Sequence, residues 1–273
     1  MTRILSLKEL DTQIKKKKSF LCIGLDTDMN KLPTQYVRNA LAVVNFNRQI
    51  IDATNDLCVA YKLNTAFYEA MGAKGWDCLK QTIELIPKDI LIIADAKRGD
   101  IGNTSAMYAK AFFEDFDVHA ITLSPYMGKD SVSPYYEYEG KWSILLGLTS
   151  NEGAKDFQMQ KMKSGKHLYE EVLETSKSWG NEKNTMFVVG ATRADALKGI
   201  REILPEHFLL VPGVGSQGGD MEEVIKAGAT ENGRLLINAS RSILYADDGK
   251  NFAAKAREEA MQLKLSMDIG FTK

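Results

Sequence analysis

Short apolar runs recur along the chain, many of them closing on a polar or charged residue, and they alternate with stretches of helical period. The runs at 20–26, 58–64, 90–95, 120–123, 143–148, 185–189, 208–211 and 235–238 have the length and β-branched content of buried strands. Between them, apolar residues at helical spacing predict helices over 37–53, 66–86, 103–113, 166–177, 194–203, 221–227 and 251–263, with a weaker one near 130–136. Pro87 stops the second of these. Ahead of the first strand, Ser6-Leu7-Lys8-Glu9 fits a capping box and opens a short helix.

Regular alternation of strand and helix implies a parallel sheet with helices outside it. Eight such units without a linker or a break in composition favour a closed (β/α)8 TIM barrel with an N-terminal helical extension, as a single domain over residues 1–273. An open doubly wound sheet would show a topological switch and fewer strands. The segment 149–165 is long for a βα connection and is read as a candidate lid. The segment 124–139 suggests no role.

Lys and Arg total 35 against 36 Asp and Glu, which argues against a general nucleic-acid binder. No apolar run approaches the ~20 residues that span a bilayer, and the lysine-rich start does not resemble a signal peptide. The run Lys15 to Lys18 reads as a solvated helix end, where cations are favoured. Cys22, Cys58 and Cys78 are odd in number and form no CxxC pair; the first two lie in apolar runs, as buried inert thiols do. A reduced, cytoplasmic setting is expected. His119, His167 and His207 fall away from the strand ends that matter below, and no metal-ligand set emerges from them.

In a barrel of this kind the site lies at the carboxyl ends of the strands. Asp26 closes the first strand, Lys62 the second, and Asp95 and Lys97 the third, with Asp100 just beyond. Any one of these fits a strand end meeting water. Together, Lys62, Asp95, Lys97 and Asp100 form an Asp-x-Lys-x-x-Asp pattern plus a second lysine, two cations and two anions able to keep one another charged in a dry pocket.

The seventh and eighth loops carry different chemistry. Pro212-Gly213-Val214-Gly215-Ser216-Gln217-Gly218-Gly219 lets backbone N–H groups approach an anion, and Arg241 can hold a phosphate bidentately. These loops are the usual phosphate site of the architecture. Gly213-x-Gly215-x-x-Gly218 also matches the dinucleotide fingerprint, but the following strand ends in Asn-Ala-Ser-Arg rather than on an acid, and too little chain follows.

Taken together, Gly24-Leu25-Asp26, Tyr61-Lys62-Leu63-Asn64, Asp95 to Ile101, Leu148-Thr149-Ser150-Asn151, the 212–219 loop and Ser240-Arg241-Ser242-Ile243 resemble the orotidine 5'-phosphate decarboxylase family, in its longer bacterial (type 2) subgroup, over residues 20–245. The resemblance implies conversion of orotidine 5'-phosphate to UMP and carbon dioxide without a cofactor or metal, at the end of de novo UMP synthesis. It implies that Lys97 protonates the pyrimidine carbon, within a network completed by Lys62, Asp95 and Asp100. Asp26 and Lys62 would touch the ribose, and Ser150 the pyrimidine amide. Pro212, Gly213, Gly215, Gln217 and Arg241 would hold the phosphate end. Asp100 and Thr104 would come from the partner subunit of a homodimer with shared sites. Gly102 and Ser240 depart from the pattern of many relatives outside this subgroup, which have Pro and Gly there; the charged positions are intact. Two alternatives share parts of the pattern: a metal-dependent relative acting on sugar phosphates, whose acids would serve Mg²⁺, and a nucleotide-binding barrel without catalysis.

Overall fold

The eight apolar runs become eight parallel strands: β1 (Leu21–Gly24), β2 (Ala60–Asn64), β3 (Leu91–Arg98), β4 (Ala120–Leu123), β5 (Trp142–Leu148), β6 (Thr185–Val189), β7 (Phe208–Pro212) and β8 (Leu235–Ala239). They hydrogen-bond in chain order, and β8 returns to β1 through the pairs Leu21↔Ile237 and Cys22↔Asn238, so the barrel is closed. This is a (β/α)8 barrel, seen in a computed structural model that describes residues 5–190, 194–213 and 220–271. The strands are buried along nearly their whole length, as expected where helices cover the outer face and side chains fill the interior.

The floor of the barrel, at the amino ends of the strands, is covered by the two chain ends. Helix α1 (Leu7–Lys17) starts on the expected capping box between Ser6 and Glu9 and buries Leu10 and Ile14. The Trp142 indole donates to the Leu5 carbonyl at 2.9 Å, and Arg234 donates twice to the Asp11 carboxylate, each at 3.1 Å. At the other end of the chain the Phe271 ring stacks on Phe20. The lysines closing α1 do more than meet solvent: Lys17 donates to the Asn55 and Cys58 carbonyls, both at 2.8 Å, and Lys18 takes the left-handed conformation that ends the helix.

Several helices follow the predicted bounds closely: α2 (Ala40–Thr54), α6 (Leu168–Ser176), α7 (Ala194–Ile203), α8 (Met221–Gly228) and α10 (Phe252–Ser266). The stretch 66–86 is not one helix. It divides into α3 (Thr65–Glu69) and α4 (Ala73–Leu85) at Gly72, which has φ +65°. The turn is tight: a Cβ at Gly75 would lie 1.7 Å from the Tyr68 carbonyl oxygen. Helix α5 (Gly102–Lys110) gives way to a wider π-helical turn at Ala111–Asp115. In place of the helix near 130–136 there are short 3-10 turns, and a further one-turn helix, α9 (Arg241–Leu244), follows β8.

The histidines are structural in kind. Nδ1 of His119 accepts the Ile92 N–H at 2.9 Å, the His167 N–H ahead of α6 donates to the Glu170 carboxylate at 2.6 Å, and His207 is packed edge-on against Phe187 with its pKa lowered to about 4 by burial. All three cysteines are buried thiols; burial pushes Cys58 up to about 12 and Cys78 up to about 11. Among the described residues no helix is long and apolar enough to cross a membrane.

Candidate active site

A cavity of about 510 Å³ opens at the carboxyl ends of the strands. Asp95, on β3, lies at its base. Oδ2 of Asp95 accepts from Lys62 Nζ on β2 at 3.0 Å, and Oδ1 accepts from Lys97 Nζ at 2.6 Å and from the Thr122 hydroxyl on β4 at 2.9 Å. Burial on its own would raise the Asp95 pKa; Lys62 and Lys97 outweigh it and hold the carboxyl well below the usual range. Burial likewise disfavours a charged Lys62, and the Asp26 and Asp95 carboxylates outweigh that, so its ammonium is held charged.

Lys97 and Asp95, two residues apart on β3, share a face of the strand, whose end is irregular. The β3–β4 register shifts between Ala94 and Arg98, and Lys97 adopts φ +47°, in the left-handed region where a non-glycine residue is strained. Its N–H is anchored on the Thr122 hydroxyl at 2.9 Å. The Lys62 side chain is 5% exposed and the Lys97 side chain 50%, so one lysine is locked between carboxylates and the other lines the cavity with half its side chain open. Beyond it, Arg98 pairs with Glu69 on α3 and lies over the rings of Tyr108 and Phe112, tying the end of β3 to α3 and α5.

Asp26, two residues past β1, is held on three sides. Its Oδ1 takes the Asn64 N–H at 3.1 Å and lies 3.5 Å from Lys62 Nζ, and its Oδ2 takes the Ser240 hydroxyl at 2.9 Å. Gly24 makes room for this arrangement, since a Cβ there would sit 1.8 Å from the Ser240 oxygen.

Ser150, in the loop after β5, lines the same cavity. The Gln158 amide grips the preceding residue, accepting the Thr149 N–H at 2.8 Å and donating to its hydroxyl at 2.9 Å. Gln158 belongs to the 149–165 excursion, so that segment is tied to the rim. Gly190, just past β6, packs so closely that a Cβ would lie 2.7 Å from the Ser150 nitrogen. Pro212, Gly213 with φ +93°, and Arg241 at the start of α9 complete the far side. Gly215 and Gln217 lie outside the described residues.

The cavity thus gathers Asp26, Lys62, Asp95, Lys97, Ser150, Pro212, Gly213 and Arg241. It does not gather Asp100 and Thr104, which are not among its lining residues. Within the single chain the two cations meet two anions, Asp26 and Asp95, and Asp100 and Thr104 lie outside the cavity, as residues expected to serve a partner's site would. Asp100 sits beyond the bulge, where its carboxylate accepts the Ile101 N–H at 2.8 Å. Thr122, Asn64 and Ser240 were not expected, and neither were Lys31 and Tyr245, which also line the cavity.

A closed barrel with a charged carboxyl-end rim and a cation beside the β7 and β8 loops defines a (β/α)8 barrel with the layout of enzymes acting on phosphorylated small molecules. Residues 19–256 match the profile of the orotidine 5'-phosphate decarboxylase / HUMPS family, and the chain belongs to that family. It is 59% identical over 268 residues to the orotidine 5'-phosphate decarboxylase of Christiangramia forsetii, covering 96% of this chain and 98% of the relative. It is 52% identical over 264 residues to that of Phocaeicola vulgatus, covering 96% and 97%. The structure of Leishmania donovani OMP decarboxylase superposes with a TM-score of 0.81 at 36% identity, covering 96% of this chain and 99% of that one.

Proposed function

We propose that the chain decarboxylates orotidine 5'-phosphate to UMP and carbon dioxide, the last step of de novo UMP synthesis. The observation that carries this reading is the Lys62–Asp95–Lys97 array, a buried carboxylate held ionised beside a lysine that lines the cavity. Cleavage of the bond between the ring carbon and its carboxylate leaves the electron pair on a carbon with no adjacent carbonyl to absorb it. A fixed ammonium beside that carbon stabilises the charge as it develops. The Lys97 proton then passes to the carbon, forming the C–H bond of UMP, and the neutral amine regains a proton from water. Nothing in this sequence calls for a cofactor or a metal.

In the same reading Lys62 and Asp26 bind the ribose hydroxyls and Asp95 holds the Lys97 side chain in place. Ser150 bonds the pyrimidine amide, and Pro212, Gly213, Gly215, Gln217 and Arg241 receive the phosphate. The phosphate lies far from the bond that breaks, so its binding energy is available to draw the 149–165 excursion over the substrate. Asp100 and Thr104 serve the site of a second copy, making a homodimer with shared sites. The exposed apolar side chains flanking Asp100 support this: Ile101, Met107, Tyr126 and Met127 are all well exposed in the single chain. The whole chain acts as one catalytic domain, and its buried free thiols suit the cytoplasm.

The test is the loss of orotidine 5'-phosphate absorbance on adding the purified protein, with and without EDTA. Turnover that survives EDTA is expected. Turnover lost to EDTA and restored by Mg²⁺ would transfer the acids to metal binding, and UMP binding without any turnover would make this a binding barrel.

A further inference from the structure

The cavity has two cations at its β1/β8 side that the charged array does not use. One is Arg241. The other is Lys31, the last residue of the 3-10 turn Met29–Lys31 that follows β1. Among the described residues neither is ion-paired, whereas Lys62 and Lys97 both answer to Asp95.

Lys31 is held in place by contacts other than a carboxylate. Its Nζ lies 5.6 Å over the centre of the Tyr245 ring, within the range of a cation–π contact. The Tyr245 hydroxyl accepts the Asp28 N–H at 2.8 Å, and the Tyr245 N–H donates to the Arg241 carbonyl at 3.1 Å. One ring thus joins the turn that carries Lys31 to the helix that carries Arg241. Asp28, the nearest acid along the chain, does not pair with Lys31. Its side chain accepts the Asn30 N–H at 2.9 Å and caps the turn. Two cations line one cavity, one of them over the Tyr245 ring and the other on the helix that carries Tyr245, an arrangement suited to a dianion.

We infer that Lys31 is a second phosphate-binding cation that closes on the substrate phosphate beside Arg241, with Tyr245 as the residue that positions it. This rests on the nucleotide reading given above and deepens it: selectivity for the phosphorylated ligand is assigned partly to the β1 turn and not to the β7 and β8 loops alone. Lys31 takes no part in the bond-breaking step.

The experiment compares UMP with uridine, which differs only in lacking the phosphate. Dissociation constants for both are measured by calorimetry on the full chain for the wild type, Lys31→Ala, Lys31→Gln and Lys31→Arg, alongside KM and kcat for orotidine 5'-phosphate. Lys31→Ala and Lys31→Gln are expected to weaken UMP about tenfold, the scale of one charge-assisted contact. They should leave uridine unchanged and raise KM in step with UMP. Lys31→Arg is expected to recover most of the loss. Equal weakening of UMP and uridine would overturn the inference, since Lys31 would then act only on loop shape; unchanged UMP affinity would overturn it as well. A wild type that shows no preference for UMP over uridine would bring down the nucleotide reading itself. A preference kept intact in Lys31→Ala would remove only the role given to Lys31.

Discussion

Lys97 and Lys62 share one carboxylate but stand in different surroundings, and the difference predicts opposite outcomes on removal. Lys62 is buried between Asp26 and Asp95, so Lys62→Ala leaves two carboxylates in a dry site and should cost about 3–5 kcal/mol of stability. Lys97 is half exposed, and Asp95 keeps Lys62 and Thr122 without it. Lys97→Ala should therefore stay folded and bind UMP while losing about 10⁴-fold or more in turnover, the scale of a lost proton donor that also stabilises charge. Thermal melting and the absorbance assay on both variants check this, and a Lys97→Ala enzyme with near-normal turnover would refute the proton-donor role. At this scale the acids and lysines were legible, because unpaired charge at the end of an apolar run is costly and calls for an explanation. Thr122, Asn64 and Ser240 were not. Thr122 and Asn64 meet Asp95 and Asp26 from other strands and Ser240 meets Asp26 from just past β8, and which residues face one another across the barrel is settled by register, which leaves no local trace.

Between elements, the loops after β5 and β6 meet at Gly190 and Ser150 with no space for a side chain. Gly190→Ala would press a methyl group onto the Ser150 backbone, and overpacking of this kind costs about 1–3 kcal/mol. Since the rim loop gives way more easily than the barrel, the expected result is a raised KM, about tenfold or more, with a much smaller change in melting temperature. Steady-state kinetics beside a melting curve separates the two; a fall in melting temperature with KM unchanged would place the strain elsewhere. Element types were mostly readable, since strands buried on both faces appear as short continuous apolar runs and helices show a period of 3.6. The break between α3 and α4 was not, because the helical period runs on through Gly72 and only its φ of +65° reveals the turn. The small turns across 125–137 carry no period at all.

For the molecule as a whole, the alternation of eight strands with helices was sufficient to anticipate a closed barrel, and the carboxyl-end rule located the cavity. What one chain could not account for is Asp100, whose place in the motif points to the site but whose position in the fold does not. The proposed homodimer with shared sites would account for this. If Lys97→Ala and Asp100→Ala subunits are mixed and allowed to exchange, about half the dimers pair one of each, and each of those holds one intact site of two. Activity should return to about a quarter of the wild-type level. Mixing that restores nothing, with exchange verified, would mean that Asp100 does not act across a subunit interface. The left-handed backbone of Lys97 has a further consequence, for directed evolution. A glycine at this position would relieve about 1–2 kcal/mol of conformational strain relative to alanine. A library screened for thermal resistance alone will therefore find glycine favoured over every other replacement of Lys97, and stabilised variants of this barrel must be screened for turnover in the same round.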